Sequence, residues 1–404
     1  MRAGPDGSFR LTYCTNIHLS NGWWEVFANL RRYAPALRER LAPGEPFGIG
    51  LRLSGRESDE LLARGDLLER FRSFLDEHGL YVFTLNGFPY GPFHGEPVKA
   101  AVHAPDWRDE ERVWYTLRLV EILARLLPDG MDGGISTSPL SYKAWVDVQS
   151  TSTWEHLARQ VTWLAEALVR VKEERDKLIH LDIEPEPDGL LESSAEVVRF
   201  YEDWLLPTGA PLLAESKGVP VGEARDLLLE HVRICFDTCH VAVAYEDPAE
   251  VLDRFARAGI RVGKVQISSA LRVILPEKLS QRDDTARALL PFVESTYLHQ
   301  VVQRNADGSF RRYADLVDAL PEIRDPRADE WRIHFHVPIF VDRYRTFLST
   351  QDDIRDVFVL LRERRFCDEL EIETYTWDVL PPDLKRDLGD SIGREYKWVL
   401  DAFA

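Results

Sequence analysis

Leu178-Ile179-His180-Leu181-Asp182-Ile183-Glu184-Pro185-Glu186-Pro187 reads as a strand that ends on a carboxylate pinned beside a proline. Three other apolar runs also end on a polar residue. Val232-Arg233-Ile234-Cys235-Phe236 stops at Asp237, Val262-Gly263-Lys264-Val265 leads to Gln266, and Leu370-Glu371-Ile372 stops at Glu373. Parallel barrels build sites in this manner, because the carboxyl ends of all strands converge on one face. Three carboxylates and the nearby His240 would repel one another unless a cation neutralised them. The set therefore predicts a divalent ion (Mn, Mg, Zn or Co) at a barrel mouth. A solvated acidic loop at Glu184-Pro185-Glu186 and an Asp237 that merely caps the next helix are the plain alternatives.

Outward from these runs, strand-like and helix-like stretches alternate, the pattern of a parallel sheet with crossover helices. Strands are predicted at Leu11–Asn16, Phe47–Leu53, Leu80–Asn86, Gly134–Thr137, Leu178–Glu184, Val232–Asp237, Val262–Ile267 and Glu369–Glu373. Helices are predicted between them, among them 57–79, 150–177, 194–205 and 222–230. Right-handed crossovers close eight such units into a (β/α)8 TIM barrel. An open doubly wound sheet is the rival, but it would want a glycine-rich phosphate turn after the first strand, and none stands there. The chain is read as a single domain, 1–404, with an insertion over 270–350 between strands seven and eight. In it a helix is expected at 285–293, a hairpin at 297–304 and 310–313, and a ninth strand-like run at Trp331–Val337. The insertion would form a lid or pocket wall, or else its ninth run is itself barrel strand eight.

The 404 residues, 45% of them hydrophobic, can bury a large core. A net charge of −18 disfavours nucleic acid, whose phosphates need a basic surface. No run approaches the length needed to span a bilayer, and the N-terminus lacks the apolar stretch of a signal peptide. Four cysteines without a disulfide-type spacing fit a reducing, cytoplasmic setting. The expected partner is a small-molecule substrate; a homo-oligomer is left open.

The ligand set expected for the ion is Glu184, Asp237, Gln266, His336 and Glu373. Glu184 and Glu373 are also the expected acid and base, since two carboxylates on opposite sides of an ion suit proton removal and return beside a carbonyl. His336 enters because Gln266 is a weak ligand, and His334-Phe335-His336 on a strand would point both imidazoles to one face. His299 is a further candidate. His240, Asn16, Asn86, His94 and Lys143 follow strand ends and are expected at the substrate, with Trp23 as a stacking surface for a sugar or cyclitol ring.

At these positions the chain resembles the xylose-isomerase-like TIM-barrel superfamily, which includes sugar isomerases, epimerases and endonuclease IV. That pattern has a Glu on strand five, Asp-x-x-His on strand six, a His near strand seven and a Glu on strand eight around a divalent ion. Glu184, Asp237 with His240, and Glu373 match it; Gln266 departs from it. Within this group the chain is similar to the EboE "metabolite traffic protein" family. The likeness is carried by Leu11-Thr12-Tyr13-Cys14-Thr15-Asn16-Ile17-His18, Asn86-Gly87-Phe88-Pro89-Tyr90-Gly91, Asp237-Thr238-Cys239-His240, Gln266-Ile267-Ser268-Ser269-Ala270-Leu271, His334-Phe335-His336-Val337-Pro338 and Glu373-Thr374-Tyr375-Thr376-Trp377. The resemblance implies a metal-dependent isomerase or epimerase of a small polyhydroxylated carbonyl compound in secondary-metabolite processing. A metabolite-binding protein without catalysis and a metal-dependent hydrolase of the endonuclease IV type are the alternatives.

Overall fold

Along each central strand, residues alternate between the helical layer and the barrel interior, and here the interior set is unusually polar. In the computed structural model, which describes residues 1–94, 97–380, 382 and 385–404, eight parallel strands form the barrel. They are β1 (Phe9–Tyr13), β2 (Phe47–Arg52), β3 (Leu80–Asn86), β4 (Gly133–Thr137), β5 (Ile179–Ile183), β6 (Val232–Asp237), β7 (Val262–Ile267) and β8 (Glu369–Ile372). From β2 onward each pairs with the next in parallel, and β8 pairs with β1. The ring closes between β1 and β2 by a parallel bridge from Cys14 to Gly50 and by Thr12 Oγ1 donating to the Gly48 carbonyl at 2.9 Å. The predicted barrel is thus the observed fold class.

Most predicted elements shift only at their ends. The expected helix 57–79 is two, Gly55–Ala63 and Gly65–Glu77, broken where Arg64 turns extended (φ −125°, ψ 114°). A capping box at Ser54 and Glu57 starts the first. After Ser194–Arg199 the helix widens into a π turn over Phe200–Leu205 and runs on to Lys217. Pro207 and Pro211 hid this continuation, because proline reads as a helix stop. The C-terminal helix Leu388–Phe403 closes the outer layer against the helices at 23–41 and 351–364.

Between β7 and β8 the chain builds a second, antiparallel sheet of six strands, in the order 310–313, 301–305, 328–333, 271–274, 347–349, 343–344. The hairpin 301–305/310–313 is where the turn chemistry placed one, and the helix lies earlier than expected, at Leu279–Leu289. The third strand ends at Ile333, so the reading of Trp331–Val337 as one continuous strand is corrected. It is not barrel strand eight either; that place belongs to Glu369–Ile372.

Charged residues fit inside the barrel only because three strands carry glycine there. A Cβ at Gly50 would stand 1.7 Å from Glu371 Oε1 and 2.9 Å from the Tyr13 carbonyl. At Gly134 and Gly263 it would stand 2.0 and 1.9 Å from the Asp182 carboxylate. Gly50→Ala should therefore destabilise the fold by about 1–3 kcal/mol, the range for overpacking a core. Urea unfolding of the variant, compared with a Gly→Ala change at the open Gly222, measures it.

Candidate metal centre at the barrel mouth

Glu184 leaves the end of β5, its N–H held by the Thr137 carbonyl at 3.0 Å. Its side chain is buried, and Oε2 has no hydrogen-bond partner. Asp237, the last residue of β6, divides its two oxygens. Oδ1 accepts from the His240 N–H at 3.0 Å and from Ser268 Oγ at 2.6 Å, capping the helix Thr238–Val243. Oδ2 is buried and unpartnered. Helix capping and a site role are thus met by one side chain. Glu373 follows β8, and its Oε1 accepts from Asn16 Nδ2 at 2.8 Å and Asn86 Nδ2 at 3.2 Å. One oxygen from each of Glu184, Asp237 and Glu373 lies within 4.8 Å of the others. Burial first, and then the neighbouring carboxylates, push Glu184 and Glu373 well above the usual carboxyl range.

Three imidazoles converge beside the carboxylates, and their hydrogen bonds fix their tautomers. His240 Nδ1 faces the Pro185 carbonyl at 3.0 Å, His336 Nδ1 the Glu373 carbonyl at 2.9 Å, and His334 Nδ1 the Gln300 Oε1 at 2.8 Å. Gln300 is itself oriented, its Nε2 donating to the Pro187 carbonyl at 3.0 Å. Each Nδ1 must therefore carry the hydrogen, leaving a lone pair on each Nε2. The Nε2 atoms of His240 and His334 nevertheless stand 3.1 Å apart, and the His336 Nε2 is buried without a partner. Two lone pairs at that distance repel, whereas two nitrogens bound to one ion at 2.0–2.1 Å are separated by roughly 3 Å. Burial, followed by the neighbouring histidines, drives His334 well below the ordinary imidazole range; His336, by burial first, falls to about 4. A proton is thus a poor substitute for a cation here. Asp237 with His240 and His336, and Glu186 with His240 and His334, each offer three ligand atoms within 4.8 Å of one another. Orphaned carboxylate oxygens and orphaned Nε2 atoms fit a divalent ion.

The structure gathers Glu184, Asp237, His240, His336, Glu373, Asn16 and Asn86 at this mouth. Gln266 lies beside Asp237 across the β6–β7 ladder, but its Oε1 accepts from the Cys235 thiol at 2.6 Å and its Nε2 is unpartnered. Only an amide turned by 180° would offer oxygen to an ion. His94 binds the Asn16 carbonyl and Tyr297 Oη, bracing the rim. Two expectations are corrected. Lys143 pairs with Glu192 at 2.9 Å and Glu196 at 3.1 Å, in a separate cleft beside Trp154 and Trp204. Trp23 is 1% exposed and packs on Phe27 and Phe71, because it opens the apolar face of the helix 23–41. His299 Nδ1 donates to the His334 carbonyl at 3.1 Å and its Nε2 lies 2.8 Å from Glu294 Oε1, supporting the histidine segment from behind.

A cavity of about 60 Å³ opens onto Glu184, Glu373, His240 and His334. Its other walls include His103, 3.0 Å from Glu186, with Lys99 and Gln300, none of which lies in a motif, and the mutually packed Phe93, Tyr297 and Tyr375. Tyr297, Leu298, Gln300 and His334 come from the segment between β7 and β8.

No family model matches the chain, and no curated protein matches it. Among solved structures it is similar to a xylose isomerase-like TIM barrel protein from Mycobacterium smegmatis in complex with magnesium, at 11% identity and TM-score 0.48, over 98% of this chain and 97% of that one. It is also similar to a D-tagatose 3-epimerase-like protein, at 9% identity and TM-score 0.46, over 97% and 98%. A third is the IOLI protein with a binding zinc atom, at 12% identity and TM-score 0.44, over 98% of each chain.

Burial and the neighbouring carboxylates raise Glu184 and Glu373, so a cation binding there competes with protons. Affinity for Mn²⁺ should rise with pH, and calorimetry in buffers of different ionisation enthalpy should register proton release. His336→Ala should weaken Mn²⁺ by roughly 10- to 100-fold, the effect of supporting groups around metals. Binding without proton release would contradict the competition between cation and protons at the two glutamates.

Proposed function

We propose that the protein is a divalent-metal-dependent isomerase or epimerase of a small, unphosphorylated keto-sugar or cyclitol ketone. The observation that carries this reading is the unequal pair of glutamates at one cavity. Glu373 is fixed by two amide donors, while no hydrogen bond holds Glu184 Oε2. A free carboxylate can swing to take a proton from the carbon beside a carbonyl; an anchored one can return a proton on the opposite face. A cation held by Glu184, Asp237, Glu373 and the imidazoles would stabilise the negative charge that builds on the carbonyl oxygen. Asn16 and Asn86 orient Glu373, and the rings of Phe93, Tyr297 and Tyr375 shield the reacting carbon from water.

The absence of phosphate from the substrate follows from charge. The cavity is lined by Glu184, Glu186 and Glu373, and Lys99 is the Lys or Arg among the described lining residues. Lys99 is already paired with Asp315 at 2.5 Å. A phosphoryl group would enter a negative pocket without a free basic partner. The EboE-like motifs agree with a sugar-like or cyclitol substrate, and the segment between β7 and β8 serves as its pocket wall.

A second reading, metal-assisted hydrolysis, is favoured by the three imidazoles, which exceed what one ion with three carboxylates requires. Metal content decides between them: more than one ion per chain together with phosphatase or nuclease turnover selects hydrolysis. For the isomerase, metal-loaded protein in D₂O should place deuterium on the α-carbon of at least one ketose or inosose in a panel, and on none of the phosphorylated counterparts. Glu184→Gln should lower that exchange by roughly 10²- to 10⁴-fold, the usual share of a general base. No exchange with any member of the panel would end the proposal.

A further inference from the structure

Three of the candidate ligands, His334, His336 and Glu373, come from two stretches that no barrel strand fixes: the segment 334–339 and the turn 373–376. His336 bridges them by its bond to the Glu373 carbonyl, and Thr376 Oγ1 donates to the His336 carbonyl. Beneath both lies Glu395, on the C-terminal helix Leu388–Phe403 and 2% exposed. Its Oε1 accepts from Thr374 Oγ1 at 2.6 Å and from the Ile339 N–H at 3.3 Å. Thr374 directly follows Glu373, and Ile339 closes the segment that carries His334 and His336. Gln351 Nε2 holds the same segment from the other side, donating to the Ile339 carbonyl at 2.7 Å.

Among the described residues, no counter-charge faces Glu395. On its own helix, the Arg394 guanidinium lies over the Phe340 ring at 3.9 Å. From the helix 23–41, Arg40 is taken by Asp390 and the Gly389 carbonyl. From the helix 351–364, Arg355 lies over Trp398 at 5.2 Å. The neighbouring phenol, Tyr396, is buried against Tyr13 and Phe47. None of these offers a charge to the Glu395 carboxyl, so an ionised form would be buried and unpaired. Burial, only partly opposed by the Thr374 and Ile339 hydrogen bonds, raises Glu395 to about 8. With two donors on Oε1, the proton belongs on Oε2.

We propose that Glu395 is a positioning residue that, as a neutral carboxylic acid, fastens the segment 334–339 to the turn 373–376 and so keeps His336 and Glu373 in register for the cation. The inference rests on the cation site described above for its consequence, but not for the state of Glu395 itself. Nothing in the sequence marks this glutamate, which stands in an ordinary amphipathic helix.

Two measurements on the full chain test it. The first is urea unfolding from pH 5 to 9, wild type against Glu395→Gln, whose amide keeps the shape and the acceptor but cannot ionise. Below the unfolded value of 4.5 both states hold the proton and the difference is constant. Between there and about 8 the unfolded chain loses the proton and the folded chain keeps it. The wild-type unfolding constant should therefore rise about tenfold per pH unit relative to the variant, and then level off. Parallel curves at all pH values would show Glu395 already ionised and overturn the proposal. The second is Mn²⁺ affinity at pH 7. Glu395→Gln should stay within about threefold of wild type, and Glu395→Ala should bind roughly 10- to 100-fold more weakly. Equal affinity in the alanine variant would leave Glu395 a core acid with no hold on the site and overturn the positioning role. If wild type itself binds no Mn²⁺, the cation reading fails, and the unfolding slope alone still decides whether Glu395 is the neutral fastener. Should Glu395→Ala not fold, Glu395→Asp, too short to reach both donors, replaces it in the affinity comparison.

Discussion

Charge neutrality inside a closed barrel is the constraint on which this structure rests. Ionised groups fill its interior in layers, and a buried carboxylate without a partner is costly. At the floor, Arg10 reaches Asp132, Asp368 and Glu369 at 2.8–3.2 Å, and His180 meets Asp182 at 2.7 Å. Burial disfavours a charged His180, but the Asp182 carboxylate outweighs it and raises the ring. One layer up, Lys264 pairs with Glu371 at 2.7 Å, both fully buried. At the mouth, Glu184, Asp237 and Glu373 repeat the acidic pattern, and among the described residues no Lys or Arg pairs with them. The lower two layers each set a cation of the chain against their carboxylates; at the mouth none of the described Lys or Arg residues does so. Coupled metal binding and proton release follow from that difference between layers.

The same layering explains what the sequence disclosed. His180, Asp182 and Glu184 alternate along β5, and Glu369, Glu371 and Glu373 along β8, so strand period alone put each set on one face. It could not say which member meets a cation from the protein and which meets one from outside. That depends on Arg10, Lys264 and the glycines opposite them, which are close only in three dimensions. Strand ends were legible for a related reason: Asp237 and Glu373 stop apolar runs, and a barrel needs its strands to stop at a common height. Lys143 and Trp23 were misread because proximity to a strand end says nothing of direction. One turns toward Glu192, and the other into the seam between two helices.

The histidine pair shows a subtler case. Period two was the argument for bringing His334 and His336 to one face, yet the strand ends at Ile333. Both still reach the mouth, because backbone bonds steer the irregular segment: the His334 N–H goes to the Gln300 carbonyl and the Val337 N–H to the Ser269 carbonyl. The Gln300 side chain and the Glu373 carbonyl then set the two rings. Gln300, His103 and Lys99 carried no signal because each is a single polar residue without a motif, Gln300 in an irregular stretch and the other two at the ends of one short 3-10 turn. Their positions follow from how the sheet between β7 and β8 is laid over the mouth.

A mouth built this way is held against its own energetics. Three carboxyl groups and three imidazoles are kept close by bonds that do not themselves require a cation: Ser268 on Asp237, Asn16 and Asn86 on Glu373, backbone carbonyls on His240 and His336. These supports make the site preformed, so an ion need not gather its ligands, and the ordering entropy is met by the fold. Without a cation such a cluster would store lone-pair repulsion and unpaired polar atoms, which a stability-optimised barrel would replace with packed apolar residues. A chain that keeps such a cluster at the end where barrel active sites lie keeps it for function. The unequal support of its two glutamates, one fixed by two amides and one left free, is what gives that function a direction.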